Sequence, residues 1–154
     1  VDLVARKLGG TAPPCRTGIT RLPGADLDSL DAETGRAEAE AGGLLAPGVL
    51  AAVVATHGTR WRRVVNLCRK EPALAEPLAP GVPFPRAAVV HAIREEMART
   101  LSDVLLRRLP IGAAALPGRE AVAASAAVMA RELGWDEART GAEVSDLERF
   151  YALT

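Results

Sequence analysis

The chain has 154 residues, with 19 basic and 19 acidic side chains and a formal net charge of zero at pH 7. That length suits one domain, and the balanced charge excludes a strongly basic nucleic-acid binder and an acidic tail protein. Thirty residues are alanine and only five are aromatic, so the core must consist mainly of Ala, Leu and Val. No apolar run approaches the roughly 18 residues of a membrane span.

Residues 1–45 are predicted to be a residual helix and an irregular connecting segment. Residues 1–8 have apolar side chains at helical spacing, and two glycines follow, as is typical of a helix end. Prolines and glycines in residues 11–24 predict a stretch without regular structure. Residues 26–40 carry six carboxylates against Arg36 alone, and no helix is assigned to them. Because the chain starts without methionine and enters a helical pattern at once, we interpret it as a piece of a longer chain.

Residues 46–154 are predicted to form a helical cap domain. Pro47 opens a helix that Gly58 ends, and Thr59 is a candidate N-cap for the next helix. The apolar stripe of that next helix runs from Trp61 to Cys68. Four prolines in residues 77–85 then predict a stiff linker without a helix.

The remaining residues show the clearest helical period. Apolar residues keep that period from Arg86 to Pro110, and the capping-box spacing of Thr100 and Asp103 predicts two helices with a bend near Thr100. Asp136 is a candidate cap for a last helix, whose predicted inner face consists of Ala138, Ala142, Leu147 and Tyr151. No strand pattern of useful length occurs. The predicted fold class is all-α, a small irregular bundle of about five to six helices with Pro/Gly-rich connections.

The sequence offers few groups for catalysis or metal binding. It contains no glycine-rich dinucleotide motif, no P-loop and no HExxH motif. His91 and Glu95 lie four residues apart and could share a helical face, but two ligands do not make a zinc site. Cys68 lies on a buried stripe and is expected to be inert, and Cys15 has no base nearby in sequence. We therefore assign no catalytic, cofactor-binding or metal-binding residue.

A basic cluster is a candidate docking face. It consists of Arg60, Trp61, Arg62, Arg63, Arg69 and Lys70. One interpretation is binding to phosphate, nucleic acid or an acidic partner. For docking on a further domain or a second subunit, Trp61 or Trp135 is the expected apolar anchor. The other is an ordinary solvated helix face paired with the acidic residues 26–40, and the neutral charge of the chain favours this second interpretation.

A second charged group follows the flank of a helical stripe. Asp103 and Arg107 are four residues apart with the acid first, which is the favoured order for a helical ion pair. Glu96 lies seven residues before Asp103 and therefore on the same side. We predict a structural ion-pair motif consisting of Glu96, Asp103, Arg107 and Arg108.

The segment that contains this motif, Glu95–Arg108 with the sequence EEMARTLSDVLLRR, resembles a family signature. The family is the C-terminal helical domain of FAD-dependent (aerobic) glycerol-3-phosphate dehydrogenase, whose motif is E-x-A-x-T-x-x-D-x-L-x-R-R. Three more segments are similar in the same order. They are Cys15–Ala25, His57–Arg60, with His57 where the family usually has tyrosine, and Met129–Trp135. The resemblance spans nearly the whole chain.

The resemblance implies an N-terminal FAD domain that precedes Val1 in the same polypeptide. In the family that domain oxidises sn-glycerol 3-phosphate to dihydroxyacetone phosphate and passes electrons to a membrane quinone, or to oxygen in a related oxidase. The flavin and substrate residues then lie outside this chain, which alone is expected to be inactive, to hold no cofactor and to serve structure and docking.

The resemblance also implies the partners and the location of the protein. The FAD domain is the expected partner, a homodimer stays open, and no nucleic acid is expected. The expected location is the cytoplasm, with the parent enzyme peripheral on the inner face of the cell membrane.

Two alternatives stay open. The first is a freestanding helical binding module that uses the basic face of residues 60–70. The second is a regulatory domain of another flavin enzyme in the amine-oxidase-like superfamily.

Overall fold

A computed structural model describes residues 2–9 and 15–152. These residues contain seven α-helices and no strand. The helices are α1 (Asp2–Lys7), α2 (Leu30–Ala41), α3 (Pro47–His57), α4 (Trp61–Lys70), α5 (Arg86–Glu96), α6 (Arg119–Leu133) and α7 (Glu137–Ala152). An isolated antiparallel bridge joins Pro77 and Pro85. The prediction of a small all-α bundle is confirmed, whereas residues 10–14, predicted to be irregular, lie outside the described residues.

Three helix ends assigned from local sequence signals, at Pro47, Gly58 and Asp136, agree with the structure. Pro47 lies in the first turn of α3, and Gly58 is its C-terminal cap. The Asp136 carboxylate accepts a hydrogen bond of 2.7 Å from the Arg139 amide at the start of α7. Thr59 is not the N-cap of α4. It is the middle residue of a 3-10 turn, Gly58–Arg60, that precedes this helix.

Helix α2 is the main departure from the predicted secondary structure. Residues 1–45 were expected to be irregular after a short helix, but residues 30–41 form three turns capped by Ser29, whose hydroxyl accepts from the Ala32 amide at 3.1 Å. The helix packs on α3 and α4 through Ala37 and Ala41, which are buried. Its apolar face consists largely of alanine among carboxylates, so the sequence lacks the usual stripe of large apolar residues.

Helix α5 forms the centre of the bundle. All seven residues from Ala87 to Ile93 are buried, and the helix packs against α4 and α6. Helix α4 contributes its predicted stripe, since Trp61, Val64, Val65 and Cys68 are all buried. Alanines in α5 let neighbouring helices approach closely, which explains how a core poor in aromatic residues packs well.

The predicted bend near Thr100 is present and begins at Met97. Met97 adopts a left-handed conformation, with φ 61° and ψ 26°, and ends α5. The capping box then starts a new turn: the Asp103 carboxylate accepts from the Thr100 amide at 3.0 Å, and the Thr100 hydroxyl accepts from the Asp103 amide at 3.1 Å. Asp103–Arg108 is π-helical, not α-helical, and ends before Pro110.

The inner face of α7 differs from the predicted one. Glu143 and Leu147 are buried, whereas Ala138 and Ala142 are exposed. The Glu143 carboxylate accepts a hydrogen bond from the Leu101 amide at 2.9 Å, and this contact turns α7 so that an acid faces inward. Among the described residues, no helix combines the length and the apolar character needed to cross a membrane.

Candidate functional site

A cluster of two histidines and one glutamate lies where two helices end. His57 is the last residue of α3, His91 lies in the middle of α5, and Glu96 is the last residue of α5. The imidazoles are buried, with 1% of the His57 side chain and none of the His91 side chain exposed, whereas Glu96 is 22% exposed. The left-handed turn at Met97 ends α5 directly after Glu96, which lies beside both imidazoles.

The three side chains meet around one carboxylate oxygen. Glu96 Oε1 lies 3.5 Å from His57 Nδ1 and 3.6 Å from His91 Nε2. The two rings contact each other edge to face, with centroids 4.9 Å apart. Both distances to Oε1 exceed the usual 2.7–3.2 Å range of N–H···O hydrogen bonds. The geometry therefore places three polar atoms around a common point without close direct bonds.

Glu96 is held on its other side by Arg108. The Arg108 Nε donates to the Glu96 main-chain oxygen at 3.1 Å and lies 3.9 Å from the second carboxylate oxygen, Oε2. The interaction with His57, and then with His91, holds the pKa of the Glu96 carboxyl far below its usual range, although partial burial opposes this shift. Glu96 is therefore an anion over the whole physiological pH range.

An open cavity of about 400 Å³ reaches this cluster. Its walls include His57, Glu96 and Arg60 together with an apolar loop around Leu22. The loop is held close by a hydrogen bond of 3.0 Å from the Thr59 amide to the Gly24 carbonyl. A Cβ on Gly58 would overlap the Gly24 backbone, so this approach requires glycine.

The histidine and glutamate considered together from the sequence do not meet. Glu95 forms an ion pair with Arg63 on α4, and Glu96 instead approaches both histidines. The helical spacing of four residues favoured Glu95 as the partner of His91. In the structure Glu96, the last residue of α5, approaches His91 instead. His57 could not be assigned to the cluster from sequence, because it lies 34 residues before His91 and meets it only through a ring contact in the folded chain.

The four residues of the predicted ion-pair motif form two separate pairs, and Glu96 and Asp103 do not share one helix, because α5 ends at Glu96. Asp103 and Arg107 form an ion pair at 2.6 Å, and Arg107 is 62% exposed. Arg108 contacts Glu96 as described above. Backbone hydrogen bonds from Arg99 and Thr100 to the Asp103 carboxylate add a capping role to the first pair. The structural role of the motif stays a prediction.

The candidate docking face is mostly paired within the chain. Arg62 binds both Glu33 and Glu40 of α2, and Arg69 donates to the Glu40 carbonyl. Trp61 is fully buried, so the expectation that it anchors a partner is wrong. Arg63 pairs with Glu95, and Arg60 lines the cavity described above, while Lys70 is exposed. The structure therefore favours the interpretation of this face as one that pairs with the acidic segment.

Two buried acids were missed by the sequence analysis. Glu33 accepts from the Trp61 indole at 2.7 Å, and that hydrogen bond is the largest of the causes that hold the pKa of its carboxyl below the usual range. Glu143 joins α7 to the capping turn at Leu101 and pairs with Arg139. The signal for Glu33 was weak, since it lies among acids that face solvent.

The two cysteines differ in environment as expected. Cys68 is buried, and burial raises the pKa of its thiol to about 11, which makes it a poor nucleophile at neutral pH. Cys15 is exposed, and its contact with the Thr17 hydroxyl lowers the pKa of its thiol. Neither thiol belongs to the histidine cluster or the cavity beside it.

The described residues form an all-α domain. They contain no strand followed by a glycine-rich turn and a helix, which is the unit that holds a dinucleotide pyrophosphate. Residues 15–140 match the family model for the C-terminal domain of alpha-glycerophosphate oxidase, and the chain belongs to this family. The chain is also 30% identical over 151 residues to a protein of Synechocystis sp. named glycerol-3-phosphate dehydrogenase. That match covers 97% of the chain but 27% of the relative. No solved structure matches the chain.

Proposed function

We propose that this chain is the C-terminal helical domain of an FAD-dependent glycerol-3-phosphate dehydrogenase and that its role there is structural. The observation that carries the proposal is the family match over residues 15–140, together with similarity along 97% of the chain to a relative of that name. The parent enzyme would oxidise sn-glycerol 3-phosphate to dihydroxyacetone phosphate. FAD, bound outside this chain, would supply the redox chemistry, and a membrane quinone would be the electron acceptor of the parent enzyme.

The residues of this chain do not fit the flavin. Holding FAD requires a glycine-rich turn at a helix N-terminus after a strand, and the described residues provide no such unit. The proposal therefore assigns flavin and substrate binding to a separate N-terminal domain of the same polypeptide. It assigns this chain no catalytic step.

The proposed docking surface is the apolar wall of the cavity beside α3. Ile19 and Leu22 are each 75% exposed, and Leu30 is 49% exposed. Leu22 and Leu30 line the same cavity, while Ile19 lies three residues before Leu22. Leu22 and Leu30 give this cavity an exposed apolar wall, and such a surface is suited to packing against a further domain. The proposed partner is the flavin domain.

The experiment begins with the genomic sequence upstream of the codon for Val1, which should encode a flavin domain in frame. The long protein is then compared with a version that lacks residues 15–140. We expect bound flavin and glycerol 3-phosphate-dependent reduction of a quinone analogue in the long protein, and loss of folded protein or of activity on deletion. The 154-residue chain alone should be colourless and inactive.

A substitution pair tests the docking surface in the long protein. Leu22→Asp should weaken the association of the two domains and lower the melting temperature of the enzyme. Phe150→Asp, at an exposed apolar residue of α7, is the control and should change little. Equal effects of the two substitutions would contradict the proposed surface.

Partition of activity into the washed membrane fraction would test the proposed position on the inner face of the cell membrane.

A further inference from the structure

We propose that His57, His91 and Glu96 form a binding site for a divalent transition-metal ion of the Zn²⁺ type. The inference rests on the geometry of the cluster and is independent of the family and of any catalytic role. The ligand atoms of these three side chains all lie within 4.8 Å of one another. The donor set is two imidazole nitrogens and one carboxylate oxygen, which first-row divalent ions accept readily.

The distances suit ligands that share an ion better than groups that bind each other. Ligand atoms on a tetrahedral Zn²⁺ with bonds of about 2.0–2.2 Å lie roughly 3.3–3.6 Å apart. Glu96 Oε1 is 3.5 Å from His57 Nδ1 and 3.6 Å from His91 Nε2. The histidine ligand atoms lie within 4.8 Å of each other, so the two rings must move closer together to share one ion.

Burial gives a second, independent reason. His91 is completely buried, and neither of its ring nitrogens has a hydrogen-bond partner among the described residues. Unpaired buried polar atoms are rare in folded proteins because each loses its hydration without compensation. An ion bound to His91 Nε2 would pair one of these nitrogens and would also neutralise the adjacent carboxylate.

The two oxygens of Glu96 face different neighbours. Oε2 lies on the side of Arg108, at 3.9 Å, and Oε1 lies on the side of the histidines. A single oxygen is therefore directed at the ion. The positive charge of Arg108 lowers the affinity for a cation, so the site should bind more weakly than one with a second carboxylate.

The site has an entry path and an open coordination position. Glu96 and His57 line the cavity of about 400 Å³ that opens to solvent. Three protein ligands leave a fourth position for water, as in zinc sites that exchange ligands. The ion would sit at the junction of α3 and α5 and cross-link their C-terminal ends.

Zinc titration of the 154-residue chain tests the inference, with Glu96→Gln and Glu95→Gln as a matched pair. Glu96→Gln keeps the shape of the side chain and removes the charge directed at the ion. Glu95→Gln makes the same change one residue away, at an acid that faces Arg63 instead. All proteins carry Cys15→Ser, because the exposed Cys15 thiol can itself bind zinc.

We expect one equivalent of Zn²⁺ to bind per chain, with affinity at least tenfold lower in Glu96→Gln and unchanged in Glu95→Gln. Co²⁺ should give visible absorption bands of a low-symmetry nitrogen and oxygen site. Excess Zn²⁺ should raise the melting temperature of the chain that keeps Glu96 but not that of Glu96→Gln. Absence of binding, equal affinity of Glu96→Gln and the parent, or an equal loss in Glu95→Gln would each overturn the inference. His91→Gln removes a second ligand and should also lower the affinity for Zn²⁺, and circular dichroism checks that this variant is folded.

Discussion

The buried indole of Trp61 donates a hydrogen bond from Nε1 to the Oε1 of Glu33 at 2.7 Å and so joins α4 to the acidic helix α2. The same carboxylate accepts from Arg36 and Arg62 at 2.8 and 3.1 Å. Trp61 is fully buried and 1% of Glu33 is exposed. One acid therefore anchors the segment that sequence patterning left without structure.

Replacing this acid should destabilise the bundle. Glu33→Ala leaves the Trp61 N–H buried without an acceptor, so we expect the free energy of unfolding to fall by roughly 2–4 kcal/mol. Urea denaturation followed by circular dichroism measures the loss. Glu38→Ala, at an exposed acid of the same helix, is the control and should change the free energy by less than about 0.5 kcal/mol. Similar losses in both variants would mean that the Trp61 contact contributes little.

Glu33 should also make stability fall in acid. The Trp61 hydrogen bond holds the pKa of its carboxyl below the ordinary value of 4.5, so the folded state binds this proton less readily than the unfolded state. The stabilisation is complete above the ordinary value and is lost as pH falls through the lowered one. Unfolding free energies between pH 6 and pH 3 should therefore decline more steeply in the parent protein than in Glu33→Gln. Parallel curves would contradict this assignment.

The capping turn at Thr100 should depend on Asp103 more than on its ion pair. Asp103→Ala removes the acceptor for two backbone amides, and we expect a loss of about 1–2 kcal/mol in the free energy of unfolding. Arg107→Ala removes only an exposed pair and should cost under about 1 kcal/mol. Asp146→Ala, which breaks the exposed pair with Arg149, is the control. A larger effect of Arg107→Ala than of Asp103→Ala would reverse the ranking of cap and pair.

Two glycine substitutions should act in opposite directions. Gly58 has a φ of 54°, and a Cβ there would overlap the Gly24 carbonyl, so we expect Gly58→Ala to lower the melting temperature and to cost more than about 1 kcal/mol. Gly35 lies inside α2 with open space around it, so Gly35→Ala should stabilise by roughly 0.5–1 kcal/mol. Thermal unfolding compares the two. A stabilised Gly58→Ala would show that the loop around Gly24 does not need its close approach.

Local sequence signals predicted much of the secondary structure because they act within one or two turns. Pro47, Gly58 and Asp136 mark helix ends through backbone geometry that needs no tertiary partner. The capping box of Thr100 and Asp103 was likewise readable from a spacing of three residues. Helix α2 was not, because its inward face is alanine and one glutamate, and burial of that glutamate depends on Trp61 in another helix.

The sequence by itself determined the all-α class, the positions of most helix ends and the family resemblance of the segment Glu95–Arg108. Each of these depends on residues that are neighbours along the chain. Only the tertiary structure decided which charged groups are buried and which meet. His57, His91 and Glu96 come together because the last residue of α3 reaches α5, where the His57 ring contacts the His91 ring. Glu33 and Glu143 are buried because each has a distant donor to satisfy it. A charged group can be buried only where a partner satisfies it, and that partner is often far away in sequence. Local sequence patterns therefore do not reveal which charges are buried.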